Sequence, residues 1–366
     1  MWCEFFLQRH NLQFSFEAGT SRGVLKEKPT WFVVVRGLGY DHSFQGIGEA
    51  SPLKGLSEDY SENYEEELLA LLKKLEDLEI PERRGEIDVF LDEHIPSNKP
   101  SMRFGIESAF YSMLENRQGK LFPGPFCDGK YRIPINGLVW MGDEEFMKDQ
   151  IDEKLIKGFS TIKMKIGAID FDTEFKLLED IRNEYDSSTI TLRVDANGAF
   201  DQNNVREVLE KLASLEIHSI EQPIKPGQPE LMRALCEEQI LPIALDEELI
   251  GLHTNEERAT LLDQIKPQFI VLKPSLIGGI KATQDWIRLA EERNIGWWVT
   301  SMLESNIGLN VIAQLTATYE PLLPQGLGTG QLYTNNIHSP LTIKKGELLY
   351  DPAKMWMYYL PDLDLS

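Results

Sequence analysis

The chain is short of cysteine, of positive charge and of long apolar runs, and each shortage removes a class of protein. Its 366 residues hold three cysteines, Cys3, Cys127 and Cys236. They are odd in number and too far apart for a CxxC pair, so they read as packing residues of a reducing compartment rather than a disulfide framework. Apolar stretches such as Trp31 to Val35 fall far short of the roughly 18 residues a membrane span needs. Glu4, Gln8, Arg9 and His10 interrupt any signal-type apolar segment at the start, so a soluble, cytoplasmic protein is expected. A formal charge of −22 opposes binding to nucleic acid or to an anionic membrane. The same field repels an anionic substrate, so a pocket for a small-molecule carboxylate must concentrate positive charge. There is no low-complexity segment.

What is present has an order. At this length, beyond the usual single core of about 250 to 300 residues, a large domain with a smaller companion is expected. Residues Glu4 to Phe16, Trp31 to Leu38 and Phe44 to Glu49 read as an antiparallel meander. Two helices follow, one carrying Leu68, Leu71, Leu72 and Leu75 on a single face and one carrying Ile106, Ala109, Phe110, Met113 and Leu114. The run Leu121-Phe122-Pro123-Gly124-Pro125 cannot continue a helix and marks a boundary, giving an α+β domain over residues 1–125. Apolar runs then alternate with helical patterns over residues 126–330, with strands ending near Leu138, Lys165, Asp195, Glu221, Asp246, Lys273, Thr300 and Leu327. Eight regularly spaced strands predict a closed β/α barrel. An open doubly wound sheet would want a Gly-rich phosphate loop after its first strand, and Asn136-Gly137-Leu138-Val139 is no such loop. Residues 331–366 return to hairpin character, with a turn at Lys345-Gly346, and are expected to pack back on the first domain.

In β/α barrels the chemistry sits at the C-terminal ends of the strands. There the second strand offers Lys163 and Lys165, the third Arg193, Asp195 and Asn197, the fourth Glu221, the fifth Asp246 and the sixth Lys273. Alternation puts Lys163 and Lys165 on one face, and Arg193 and Asp195 likewise. Taken singly, an Asp at a strand end usually caps the next helix and a Lys is usually solvated. Three carboxylates on consecutive strands flanked by lysines are harder to obtain from capping alone. They would repel one another unless a hard cation sat between them, and with no histidine or thiolate in the set Mg²⁺ suits them best, Mn²⁺ being the alternative. Such a site fits removal of a proton α to a carboxylate, where a cation and an ammonium offset the growing charge. A lysine beside a second ammonium is tuned to serve as the base.

This arrangement resembles the enolase superfamily, muconate-lactonizing subgroup, over nearly the whole chain. The resemblance implies a modified (β/α)7β barrel lacking its last helix, with an N-terminal α+β cap completed by the C-terminal segment. It implies Lys165 as general base, Lys273 as the lysine of the opposite face, Lys163 as enediolate stabiliser, and Asp195, Glu221 and Asp246 as metal ligands. Arg193 and Asn197 would support the site. Gly48-Glu49-Ala50-Ser51-Pro52-Leu53, Pro100-Ser101-Met102-Arg103-Phe104-Gly105, Asn136 to Gly142, Thr300 to Gly308 and Gly326 to Gly330 are similar to the o-succinylbenzoate synthase family of menaquinone biosynthesis. That family dehydrates a succinyl-hydroxycyclohexadiene carboxylate to an aromatic product. Gly19 to Gly23, including Ser21, and Ser51 to Leu56 would then close on the succinyl tail, or be ordinary turns. Ser301, Ser305 and the Gly328 backbone would contact a carboxylate, or serve as helix caps. An N-acylamino acid racemase or dipeptide epimerase of the same superfamily is the alternative, although Gly328-Thr329-Gly330 stands where dipeptide epimerases resemble one another in an Asp-x-Asp. A barrel that has lost catalysis is the non-enzyme alternative. Homo-oligomerisation is compatible with the sequence.

Overall fold

The computed structural model describes residues 1–20, 23–39, 44–117, 119–320 and 322–357. The chain opens with an antiparallel sheet of β1 (Cys3–Thr20), β2 (Gly23–Gly37) and β3 (Gln45–Ala50). β1 and β2 are longer than their sequence pattern predicts, pairing from Cys3 with Gly37 to Gln13 with Glu27 and, after a register shift, from Ala18 with Leu25 to Thr20 with Gly23. The Gly19 to Gly23 stretch, expected as a loop, is therefore strand up to Thr20 and again from Gly23, while Ser21 lies outside the described residues. Phe16 stabilises this extension by edge contacts with Trp140 and a tilted contact with Phe146, partners that lie far away in sequence.

Three helices follow: α1 (Tyr64–Glu76), α2 (Arg84–His94) and α3 (Pro100–Glu115). The sequence pattern signalled the first and third. α2 buries only Ile87, Phe90 and Leu91, too short an apolar face to stand out among its charged residues. α3 is buried from Pro100 to Met113 because it lies directly on β3. A Cβ on Gly48 would come within 2.0 Å of the Gly105 carbonyl oxygen and one on Gly46 within 2.1 Å of that of Ala109, so only glycine allows this approach.

After β4 (Ile133–Pro134) comes a curled parallel sheet of seven strands in sequence order: β5 (Gly137–Val139), β6 (Thr161–Lys165), β7 (Thr191–Asp195), β8 (Ser219–Glu221), β9 (Ile243–Leu245), β10 (Phe269–Leu272) and β11 (Gly296–Val299). Helices cross between them: α4 (Glu144–Ile156), α5 (Phe171–Glu184), α6 (Val205–Ser214), α7 (Pro229–Glu238), α8 (Asn255–Ile265), then α9 (Pro274–Ile277) with α10 (Gly279–Glu291); α11 (Asn306–Thr316) follows β11. Every strand pair is parallel, as crossover helices require. Residues 325–326 touch both edges of the sheet. Asn136 N donates to the Gln325 carbonyl at 2.9 Å and Gly326 N to that of Val299 at 2.8 Å.

The hairpin of β12 (Leu341–Lys344) and β13 (Glu347–Tyr350) turns at Lys345 and Gly346. It adds to β4 rather than to the first sheet. The flanking residues make the return: Tyr333 bridges Phe14, and Trp356 packs with Phe32, Val34 and Ile47. Among the described residues no helix is long and apolar enough to cross a membrane.

Candidate active site

The strand ends converge. Alternation on β6 turns Lys163 and Lys165 to the interior, where Lys163 Nζ stands 2.5 Å from Glu221 Oε2 and 3.0 Å from Asp195 Oδ2. Lys165 Nζ lies 3.0 Å from the same Asp195 oxygen and 2.8 Å from Asn197 Oδ1. Asp246 directly follows β9, and its Oδ2 is bonded by Lys273 Nζ, which sits between β10 and α9. Asn197 has φ +44°, and its amide donates to Glu247 Oε1 at 3.1 Å, so the residue is braced from two strand ends.

Asp195, Glu221 and Asp246 are all but fully buried. Burial opposes ionisation of Asp195, but Lys163, Lys165 and Lys273 outweigh it and hold its carboxyl well below the usual range. Glu221 moves the other way: burial, then the charges of Asp195 and Asp246, push it up against the pull of Lys163 and Lys273. Burial also works against the ammoniums of Lys163 and Lys273, yet the carboxylates around them prevail and keep both charged. Among the described residues no three acidic or imidazole groups already enclose a common point at metal distance; the lysines stand against the carboxylates. The donor set nevertheless fits a hard cation. Its ligands are all oxygens, the lysines only partly offset their mutual repulsion at Glu221, and Glu221 Oε1 is buried without a hydrogen-bond partner.

Above these groups lies a cavity of about 220 Å³. Lys163, Lys165, Asp195, Asn197, Lys273 and Ser301 line it, with apolar walls from Leu138, Trp140, Met302 and Leu303 and from Leu25, Leu53 and Leu56 of the first 125 residues. Ser301 Oγ is 2.5 Å from Thr329 Oγ1. Four other sequence candidates sit elsewhere. Ser51 is buried behind the wall and bonded to Lys28 Nζ, a role that neither the substrate-loop nor the turn expectation foresaw, while Ser305 caps α11 through Ile307 N, the cap role expected as its alternative. Gly328 lines a neighbouring cavity of about 350 Å³ that shares Lys163, Leu138, Trp140, Thr300 and Thr329 with the first. Arg193 lies deeper: it donates to the Pro324 carbonyl at 2.7 Å, stacks 4.1 Å from the Trp298 ring, and burial pulls it down to about 10. Sequence reasoning missed Leu25, Lys54 and Thr329 in the wall and Glu247 as the partner of Asn197. Lys54 lies in the Ser51 to Leu56 loop and Thr329 in the Gly326 to Gly330 motif, but nothing local says that either lines the cavity, and the Lys54 ammonium itself pairs with Glu62.

Lysines and carboxylates gathered on parallel strand ends, beneath a sheet-and-helix cover, define an enzyme of the proton-abstracting β/α class. The comparisons agree. Residues 147–353 match the enolase C-terminal domain-like family. An o-succinylbenzoate synthase from Desulfotalea psychrophila is 46% identical across 94% of this chain and 98% of its own length. An L-Ala-D/L-Glu epimerase from Bacillus subtilis is 25% identical across 78% of this chain and 77% of its own. The crystal structure of MenC from Desulfotalea psychrophila superposes with a TM-score of 0.85 at 43% identity, covering 95% of this chain and all of that one. The muconate lactonizing enzyme of Pseudomonas putida, at 22% identity and a TM-score of 0.78 over 95% of this chain and 94% of its own, shares the fold. The chain belongs to the enolase superfamily, whose enzymes generally depend on divalent metal.

Proposed function

We propose that this chain is an o-succinylbenzoate synthase, converting 2-succinyl-6-hydroxy-2,4-cyclohexadiene-1-carboxylate to o-succinylbenzoate in menaquinone biosynthesis. The observation that carries the reading is the 46% identity to a protein of that name, which spans the cover as well as the strand ends. The cavity suits the substrate: apolar walls for a ring and a cluster of ammoniums for a carboxylate. We read the seven strands, closed by residues 325–326, as a (β/α)7β barrel, with residues 1–125 as cap, 126–330 as barrel and 331–366 as the segment that returns to the cap. Asp195, Glu221 and Asp246 would hold Mg²⁺, for which Mn²⁺ could substitute, and the bound ion supplies positive charge to the substrate carboxylate.

Lys165, held between Asp195 and Asn197, takes the α-proton as a neutral amine and becomes an ammonium. It then gives that proton to the departing hydroxide on the same face. One C–H and one C–O bond break, the ring becomes aromatic, water leaves and the lysine is neutral again. Lys163 stands beside the carboxylate charge. Lys273, kept charged by Asp246, stabilises the anion from the far side. Racemisation would instead need Lys273 to exchange protons. The test supplies the diene and, separately, an N-succinylamino acid in deuterated water with Mg²⁺. Aromatic product should form efficiently while α-deuteration and racemisation stay far slower in kcat/KM. Faster racemisation, or an untouched diene, would overturn the assignment.

A further inference from the structure

Behind the cavity wall lie three charged side chains that the reaction does not use. Lys28, Glu49 and Glu304 are 1%, 0% and 0% exposed. Burying charge is unfavourable unless every group is paired and hydrogen-bonded, so such a cluster calls for a role beyond stability. Glu49, on β3, reaches into the barrel segment: its carboxylate accepts from Ser305 N at 2.8 Å, Ser305 Oγ at 2.6 Å and Gly308 N at 2.8 Å. Thr30 Oγ1 adds a fourth bond at 2.7 Å. A carboxylate of the first sheet thus neutralises the N-terminus of α11. Glu304 accepts from Met302 N at 2.6 Å and Ser275 Oγ at 2.5 Å. Lys28 donates to the hydroxyl of Ser51 and, at 3.3 Å, to its carbonyl. Burial presses Lys28 toward its neutral form, and the charges of Glu304 and Glu49 resist this.

Each end of the cluster is next to the cavity. Ser51 precedes Leu53, Glu304 directly follows Met302 and Leu303, and Ser275 follows Lys273 by two residues. Leu303 has φ +63°, a left-handed conformation that a leucine holds only when its surroundings impose it. Its carbonyl is fixed by Tyr333 Oη at 2.7 Å, and the amide before it is fixed by Glu304.

We propose that Lys28, Glu49 and Glu304 form a buried clamp between the first domain and the barrel segment that holds the Ser301 to Leu303 loop in the shape the substrate meets. They are positioning residues. The turnover arm of the test rests on the dehydratase reading; the exchange arm does not. Glu304→Gln keeps the shape of the side chain and removes its charge, Lys28→Met removes the opposing charge, and the double variant removes both buried charges. In full-length protein, each single change should speed amide exchange at Met302 and Leu303 while the strands β6 to β9 stay protected. Each should also lower kcat/KM on the diene by about tenfold or more, with the Mg²⁺-induced rise in Tm retained. The double variant should do better than the worse single on both readouts, since the Glu304 charge acts on Lys28 through the buried interior. Unchanged exchange in the loop, exchange raised evenly across the sheet, or a double variant whose losses simply add would overturn the clamp. If wild-type protein ignores the diene the dehydratase reading falls, and the exchange data alone then decide the clamp.

Discussion

Lys273→Met separates the structural from the chemical work of one lysine. The Lys273 and Asp246 side chains are 12% and 2% exposed, and they pair. Deleting one member of a buried pair costs about 3–5 kcal/mol, because the carboxylate left behind is buried without its partner. At roughly 2.1 cal/mol/K of unfolding entropy per residue, about 1 kcal/mol moves the Tm of a chain of this size by only ~1.3 °C, so in EDTA the variant should melt ~4–7 °C below wild type. Mg²⁺ then replaces the missing positive charge. At a hundred times its Kd it returns about 2.7 kcal/mol, and the variant should gain more than the wild type, whose Asp246 already has an ammonium. Turnover will not follow stability. Losing a charge that acts on the developing anion should leave kcat about a hundred- to a thousandfold lower even with saturating metal. Scanning fluorimetry in EDTA and in Mg²⁺, paired with steady-state turnover of the diene, reads both effects. An unchanged Tm in EDTA would refute the buried-pair argument, and near-wild-type kcat would refute the anion-stabilising role.

Lys165→Ala should abolish dehydration while keeping the Mg²⁺-induced rise in Tm; dehydration that survives the substitution would place the base elsewhere. His218 gives a pH dependence, since burial and then the Arg193 charge push its imidazole down to about 4 from the usual 6.5. The unfolded chain therefore binds the proton first, so stability is lost as pH falls from about 6.5 toward 4. At pH 5 the full effect is about 2 kcal/mol, and about 1 kcal/mol after allowing for the ring's partial contact with solvent. Urea midpoints at pH 7 and pH 5 should differ less in His218→Asn than in wild type, and an equal difference would exclude His218 as the source.

Local sequence carried the parts of this protein that depend on periodicity. The two-residue repeat of a strand decides that Lys163 and Lys165 share a face, and the regular return of apolar runs decides that lysines and carboxylates stand on successive strand ends. Both follow from backbone geometry alone. α2 escaped because three buried apolar residues in eleven give a weak period. The full length of β1 and β2 escaped because it is stabilised by Trp140 and Phe146, which lie far along the chain. Tertiary structure alone decided depth and partnership. A strand pattern says that Arg193 and Asp195 point the same way, but only the curl of the sheet sends one to Trp298 and Pro324 and the other to the lysines. Likewise nothing near Glu49 or Ser305 announces that a carboxylate of the first sheet meets the N-terminus of α11, and nothing near Ser51 announces that Lys28 reaches it. Which buried charges face one another depends on how distant segments pack, and electrostatic energy varies with that distance and burial rather than with position in the chain.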